Sequence, residues 1–137
     1  MTEILYPVLA LAALTFLVLL LVPIARFRAG FQGRVKVKDF RYGESANVPG
    51  DVSLPNRNLM NLLELPVLFY VVCVLFYVTR TADGIAVTLA WAYLALRVGH
   101  SLVHLTYNNV YHRLAVYAAS TVVLGLLWVR FGLALFQ

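Results

Sequence analysis

This sequence is short of almost everything a water-exposed surface requires. Charged residues fill only 12% of its 137 positions, acidic residues number six, and there is a single cysteine. That lone thiol, Cys73, excludes an intramolecular disulfide and leaves the redox compartment unread. Set inside an apolar stretch, its default role is that of a small buried hydrophobe. No internal repeat, low-complexity tract or lipidation signal is present. Hydrophobic residues make up 62% of the chain and the mean hydropathy is +0.83. Ordinary soluble domains are ~45–50% apolar, so the chain reads as an integral membrane protein.

The apolar residues fall into four runs, over about 4–25, 59–78, 84–107 and 111–136. Each is near the ~20 residues that an α-helix needs to cross ~30 Å of hydrocarbon. In lipid every backbone group must be paired within the protein, and uninterrupted apolar runs rather than alternation select helices over a closed barrel. The expected fold is all-α: one integral membrane four-helix bundle, with no length left for a second folded domain. The first run follows Glu3 rather than basic residues and is too long for a signal-peptide core, so it reads as a retained helix.

One polar segment, about 27–55, separates the first two runs; Pro49, Gly50 and Pro55 argue for turns and irregular backbone there. It carries Arg28, Arg34, Lys36, Lys38 and Arg41 against Asp39, Glu44 and Asp51. A formal charge of +5 could point to nucleic acid, but basic residues beside a hydrophobic run are better explained by anionic headgroups. No nucleic-acid partner is expected, and membrane lipid is. The positive-inside rule puts this loop in the cytosol and both termini on the other side. A bacterial inner membrane and the endoplasmic reticulum are not distinguished.

Polar residues inside the apolar runs carry the functional signal. Arg57, Asn61 and Glu64 are spaced four and three apart, and Arg97, His100 and His104 three and four apart, so each set forms one helix face. Arg113 and Tyr117 open the last run. If the helices alternate in direction, all of these converge on one side of the bilayer, with Arg26 or Arg28 at the rim. Pro66 leaves the carbonyl of Leu62 without its helical partner, offering a kink or an extra acceptor beside Glu64. Intramembrane charge is expensive and commonly functional; the competing reading is that the groups only pair with one another, Glu64 with Arg97 for instance, as glue between helices. Glue needs a single pair, and the surplus of cations calls for an anionic guest. A metal or haem bound by His100 and His104 is disfavoured by Arg97 next to them and by the lack of assisting ligands. Neither is expected.

At these residues the chain resembles the MAPEG family, the membrane-associated proteins in eicosanoid and glutathione metabolism, and most nearly its microsomal glutathione transferase and prostaglandin E synthase branch. The likeness runs from Arg26-Phe27-Arg28 through RNLMNLLELPVLFY and RVGHSLVH to HRLAVY. Arg57-x-x-x-Asn61-x-x-Glu64 is its specific part. The resemblance implies a homotrimer in which glutathione, as co-substrate, lies between adjacent subunits. It implies that Arg26, Arg57, Asn61, Glu64, Arg97 and His100 bind glutathione together with Arg113 and Tyr117, and that Arg113 and Tyr117 are catalytic. The co-substrate's two carboxylates would suit arginines, and its ammonium Glu64. His104 shares the stripe of Arg97 and His100 and is counted with the binding residues. It stands where a tyrosine is frequent in the synthase branch, and Leu114 stands where a serine follows the arginine; both departures bear on the isomerase reaction more than on the glutathione site. The expected activity is a glutathione-dependent transferase or peroxidase acting on lipophilic electrophiles. The alternatives are a non-catalytic lipid-binding or scaffolding member, and a small transporter using Glu64.

Overall fold

The computed structural model describes residues 2–136, and every regular element among them is helical. A 3₁₀ turn at Thr2–Ile4 leads into α1 (Leu5–Phe31); a second 3₁₀ turn at Val37–Phe40 precedes α2 (Gly50–Leu63), α3 (Pro66–Thr79), α4 (Gly84–Leu105) and α5 (Val110–Ala134). α2 and α3 are two halves of one interrupted rod. The chain therefore presents four helical units long and apolar enough to cross a membrane: Thr2–Phe31, Gly50–Thr79, Gly84–Leu105 and Val110–Ala134.

Several boundaries correct the sequence expectation. α1 runs on past Ala25 to Phe31, since arginine is a good helix former and its apolar stem tolerates the membrane boundary. The polar segment expected over 27–55 is helical at both ends and irregular only over about 32–49. Pro49, with φ −60° and ψ 145°, is the N-cap of α2, and Gly50 and Pro55 lie within that helix. Proline at a helix start forfeits little, because the first N–H groups have no intrahelical acceptor; Pro55, one turn on, frees only the carbonyl of the exposed residue Asp51. The last two helices are Gly84–Leu105 and Val110–Ala134 rather than 84–107 and 111–136.

The break between α2 and α3 positions the site. α2 ends at Leu63, and Glu64 leaves the helical region at φ −89°, ψ −100°. The helix restarts with Pro66 in its first turn, where the missing N–H does least harm.

The core lies between the units. Ile4, Leu11 and Val18 of the N-terminal unit, Phe69, Val72, Cys73 and Phe76 of α3, Ala86, Ala90 and Tyr93 of α4, and Leu124 and Leu127 of α5 are all buried. Ala86 and Ala90 let neighbouring backbones come close. Tyr93 stacks on Phe69 with ring centres 4.6 Å apart. The outer faces are apolar instead of charged, with Leu9, Phe16, Leu17, Leu20 and Ile24 of α1 all more than half exposed, as a lipid-facing surface requires.

The bundle's two ends are pinned differently. At one end Asp83 caps α4 by accepting from the Ala86 N–H at 2.8 Å. It also holds Arg130 of α5, which donates through Nε at 3.1 Å and through Nη2. Hydrogen bonding to that guanidinium is the main reason the Asp83 carboxyl lies below the usual carboxylate range. At the loop end Asn109 caps α5, accepting from the N–H groups of Tyr111 and His112 at 3.0 and 3.1 Å.

Candidate functional site

The polar residues of α2, α4 and α5 meet at the loop end of the bundle. Arg97 on α4 is the keystone, with 0% of its surface exposed. Its Nη2 donates to the backbone carbonyl of Asn61 in the last turn of α2. Its guanidinium carbon sits 5.6 Å from the centre of the Tyr117 ring on α5, which is cation–π range. One turn along α4, His100 lies 5.8 Å from the same tyrosine and 5.7 Å from His104, ring centre to ring centre. The spacing of Arg97, His100 and His104 therefore does produce one stripe, and all three are buried.

Two adjoining recesses open beside this stripe. One, of about 210 Å³, is lined by Asn61, His100, Val110, Arg113, Leu114 and Tyr117. The other, of about 350 Å³, is lined by Asn56, Arg57, Met60, Asn61, His104 and Arg113. Asn61 and Arg113 form the wall between them. Asn61 is oriented by donating through Nδ2 to the carbonyl of Arg57 at 2.8 Å. Arg113 donates through Nη1 to Asn108 Oδ1 at 2.8 Å.

Three of the proposed ligand residues line neither recess: Arg97 is buried behind Asn61, and Glu64 and Arg26 lie apart. Glu64 was expected on the same face as Arg57 and Asn61. The helix ends before it, so the i, i+3 relation to Asn61 fails; Glu64 is exposed and lines neither recess. It makes no ion pair with Arg97. Arg26 is occupied elsewhere in the chain, donating to Glu44 at 3.0 Å and lying over the Phe40 ring at 4.7 Å.

Three residues enter the site that the motif spacing does not single out. Asn58 and Ser101 are buried at 0% and 2% exposure and join α2 to α4 through a 3.3 Å hydrogen bond from Ser101 Oγ to Asn58 Oδ1. Asn108, at φ +46° in the turn between α4 and α5, fixes Arg113. The adjacent pair Asn108-Asn109 between two apolar runs is a turn and N-cap signal, and that was the available clue.

The electrostatics are lopsided. The ion pairs among the described residues are Arg26–Glu44, Arg34–Asp51 and Arg130–Asp83, so Arg57, Arg97 and Arg113 have no acidic counterpart. Buried donors and ring nitrogens also go unmet: Arg97 Nε and Nη1, Asn58 Nδ2, His100 Nδ1 and both nitrogens of His104. Each such group costs ~1–3 kcal/mol when left unsatisfied. The arrangement is suited to a guest that brings several acceptors and negative charge. Among the described residues no group of three or more His, Cys, Asp or Glu side chains is placed to hold a metal ion.

Comparison with known proteins returns one family: the model described as MAPEG family matches residues 4–133. No curated protein and no solved structure matches the chain.

Proposed function

Because the chain belongs to the MAPEG family, we propose that it is a glutathione-dependent membrane transferase or peroxidase acting on lipophilic electrophiles. One observation carries this reading: Arg57, Arg113, His100 and His104 line two joined recesses that no carboxylate lines, and Arg97, buried behind Asn61, has no acidic partner either. Glutathione supplies two carboxylates, amide acceptors and a thiol. Arg57, exposed at the mouth, and Arg97, buried behind Asn61, would take the carboxylates as charge-assisted pairs. The amides suit Asn61, His100 and His104. A homotrimer would cover the open side of the recesses and bring further groups to it, with exposed Glu64 available for such a contact.

Arg113 is the residue assigned to the chemistry. Its guanidinium stands on the wall of both recesses, held by Asn108. A thiol with a reference pKa of ~8.5 is mostly protonated at neutral pH, and a guanidinium beside the sulfur shifts the balance toward the thiolate. In the transferase reaction the thiol proton leaves to solvent and sulfur bonds to the electrophilic carbon as that carbon's bond to a leaving group breaks and the leaving group departs with the electron pair, while Tyr117 orients the sulfur or donates to the negative charge that develops on the electrophile. In the peroxidase reaction two thiols and one lipid hydroperoxide give a disulfide, an alcohol and water. Leu114 and Val110 give the smaller recess an apolar side suited to a substrate arriving from lipid.

Calorimetric titration of the purified protein with glutathione tests the reading directly. Saturable binding with turnover of a general electrophile or a lipid hydroperoxide is expected; no binding would defeat it. Leu114 beside Arg113 favours one second reading, a non-catalytic member that holds lipid there. Retained lipid without thiol chemistry in native mass spectrometry would select that reading.

A further inference from the structure

His104 is only 2% exposed, and neither of its ring nitrogens has a hydrogen-bonding partner among the described residues. A neutral imidazole carries one N–H and one lone pair, so either tautomer leaves a buried donor and a buried acceptor unused. Packing alone does not call for a histidine here. An apolar side chain of similar size would fill the space and strand nothing.

The ring stands on the wall of the larger of the two recesses, together with Arg57 of α2 and Arg113 of α5. His100, one turn earlier on α4, is 5.7 Å away between ring centres. These are the charged and titratable groups that face it, and no carboxylate lines the recess. Formation of a thiolate there raises a question of proton balance. Arg113 favours the anion, yet a guanidinium is permanently charged and has no lone pair to receive the proton that the thiol gives up. The rest of that wall is Asn56, Arg57, Met60, Asn61 and His104. Of these only the imidazole takes up a proton near neutral pH. A guest with carboxylates also puts negative charge where the recess held only positive charge, and so favours an added proton on its wall.

We propose that His104 receives the thiol proton as the guest binds, so that thiolate forms in the recess without a proton passing to solvent at that moment. This rests on the glutathione reading and supplies the route by which the proton later leaves. The S–H bond breaks, the proton goes to the unprotonated ring nitrogen of His104, and the electron pair stays on sulfur beside Arg113. Sulfur then bonds to the electrophilic carbon as the leaving group departs with its electron pair. The imidazolium gives its proton to the leaving group or to water, and the neutral ring is restored. His100 is the rival acceptor. It lines the smaller recess, where Arg113 is the only guanidinium, whereas His104 shares its wall with two whose charge the guest offsets.

Calorimetric titration of the full chain in nanodiscs, in two buffers of different ionisation enthalpy at the same neutral pH, counts the protons exchanged per guest bound. Ultraviolet absorbance of the thiolate counts the anion formed. With glutathione the unaltered protein should form thiolate with almost no net proton release, and His104→Phe should release about one proton for each thiolate that still forms. S-methylglutathione has no thiol proton to give. Its binding should draw a proton from solvent in the unaltered protein and not in His104→Phe. Circular dichroism melts verify the fold of the variant, and His104→Gln carries the same comparison should the phenylalanine variant not fold. Release of one proton per thiolate by the unaltered protein, or proton exchange unchanged in the His104 variants, overturns the proposal. Loss of the exchange in His100→Phe alone overturns it in favour of His100. Absence of binding heat in both buffers defeats the glutathione reading instead, and the proton acceptor falls with it.

Discussion

Replacing Arg97 by methionine separates a binding site from structural glue. In the unliganded protein this arginine makes one hydrogen bond, to the Asn61 carbonyl, and leaves two nitrogens unmet. The hydrogen bond from a charged donor contributes ~1.5–3 kcal/mol, while each unmet buried nitrogen costs ~1–3 kcal/mol. Methionine removes all of these at once, fills similar space, and leaves only the Asn61 carbonyl short of a partner. The terms nearly cancel, so the stability of the unliganded protein should change by no more than ~2 kcal/mol. An arginine that held the bundle through a buried ion pair would cost ~3–5 kcal/mol to remove.

Binding should respond in the opposite way. If Arg97 receives a carboxylate, the variant loses one half of a desolvated charge pair, a loss of ~2–5 kcal/mol. That corresponds to a dissociation constant raised about 30-fold or more. Denaturant unfolding at fixed protein concentration reads the first quantity, since any assembly makes stability concentration-dependent; calorimetric titration with glutathione reads the second. A variant that unfolds readily without ligand, or that binds glutathione within two-fold of the unaltered protein, would refute the assignment.

Further predictions follow from other contacts. Arg113→Ala should lower the turnover number about 10²-fold, the scale of losing one electrostatic donor at the reacting centre, with a smaller effect on the calorimetric affinity. Asn108→Ala should reproduce part of that loss with an unchanged pH profile, because it only steers Arg113 through a 2.8 Å contact. Ser101→Ala should destabilise by ~1–3 kcal/mol by stranding Asn58 Oδ1, and Asn58→Leu/Ser101→Ala should recover much of it in a double-mutant cycle. Arg130 holds the Asp83 carboxyl below its ordinary range. The pair's stabilisation is therefore complete above the unfolded-state pKa of ~3.9 and is lost as pH falls through the lower folded value. Arg130→Gln should flatten acid unfolding monitored by circular dichroism in that window.

Much of this architecture was legible in the sequence, and the exceptions share a cause. The four apolar units and the stripe of Arg97, His100 and His104 follow from helical periodicity, a property of local sequence. Glu64 escaped because a spacing rule holds only while the helix continues. The residue two places before Pro66 is where it stops. Arg26 escaped because its partners, Glu44 and Phe40, come from a loop whose path periodicity does not specify. Asn58 and Ser101 look unremarkable in sequence, and only the juxtaposition of α2 and α4 makes them a buried pair.

The interruption and the polar cluster are one device. In lipid a broken helix is tolerable only where other groups of the protein meet its freed carbonyls. Pro66 necessarily frees the carbonyl of Leu62, and one residue earlier the carbonyl of Asn61 receives Arg97. The break thus lets a backbone oxygen stabilise a buried guanidinium without a carboxylate that would cancel its charge. Had the same arginine been matched by an acid, the charge behind the recesses would be cancelled and a negatively charged guest would gain less by entering. By answering a full positive charge with only a carbonyl dipole, the fold keeps the arginine in place and leaves its attraction for an anion largely unspent.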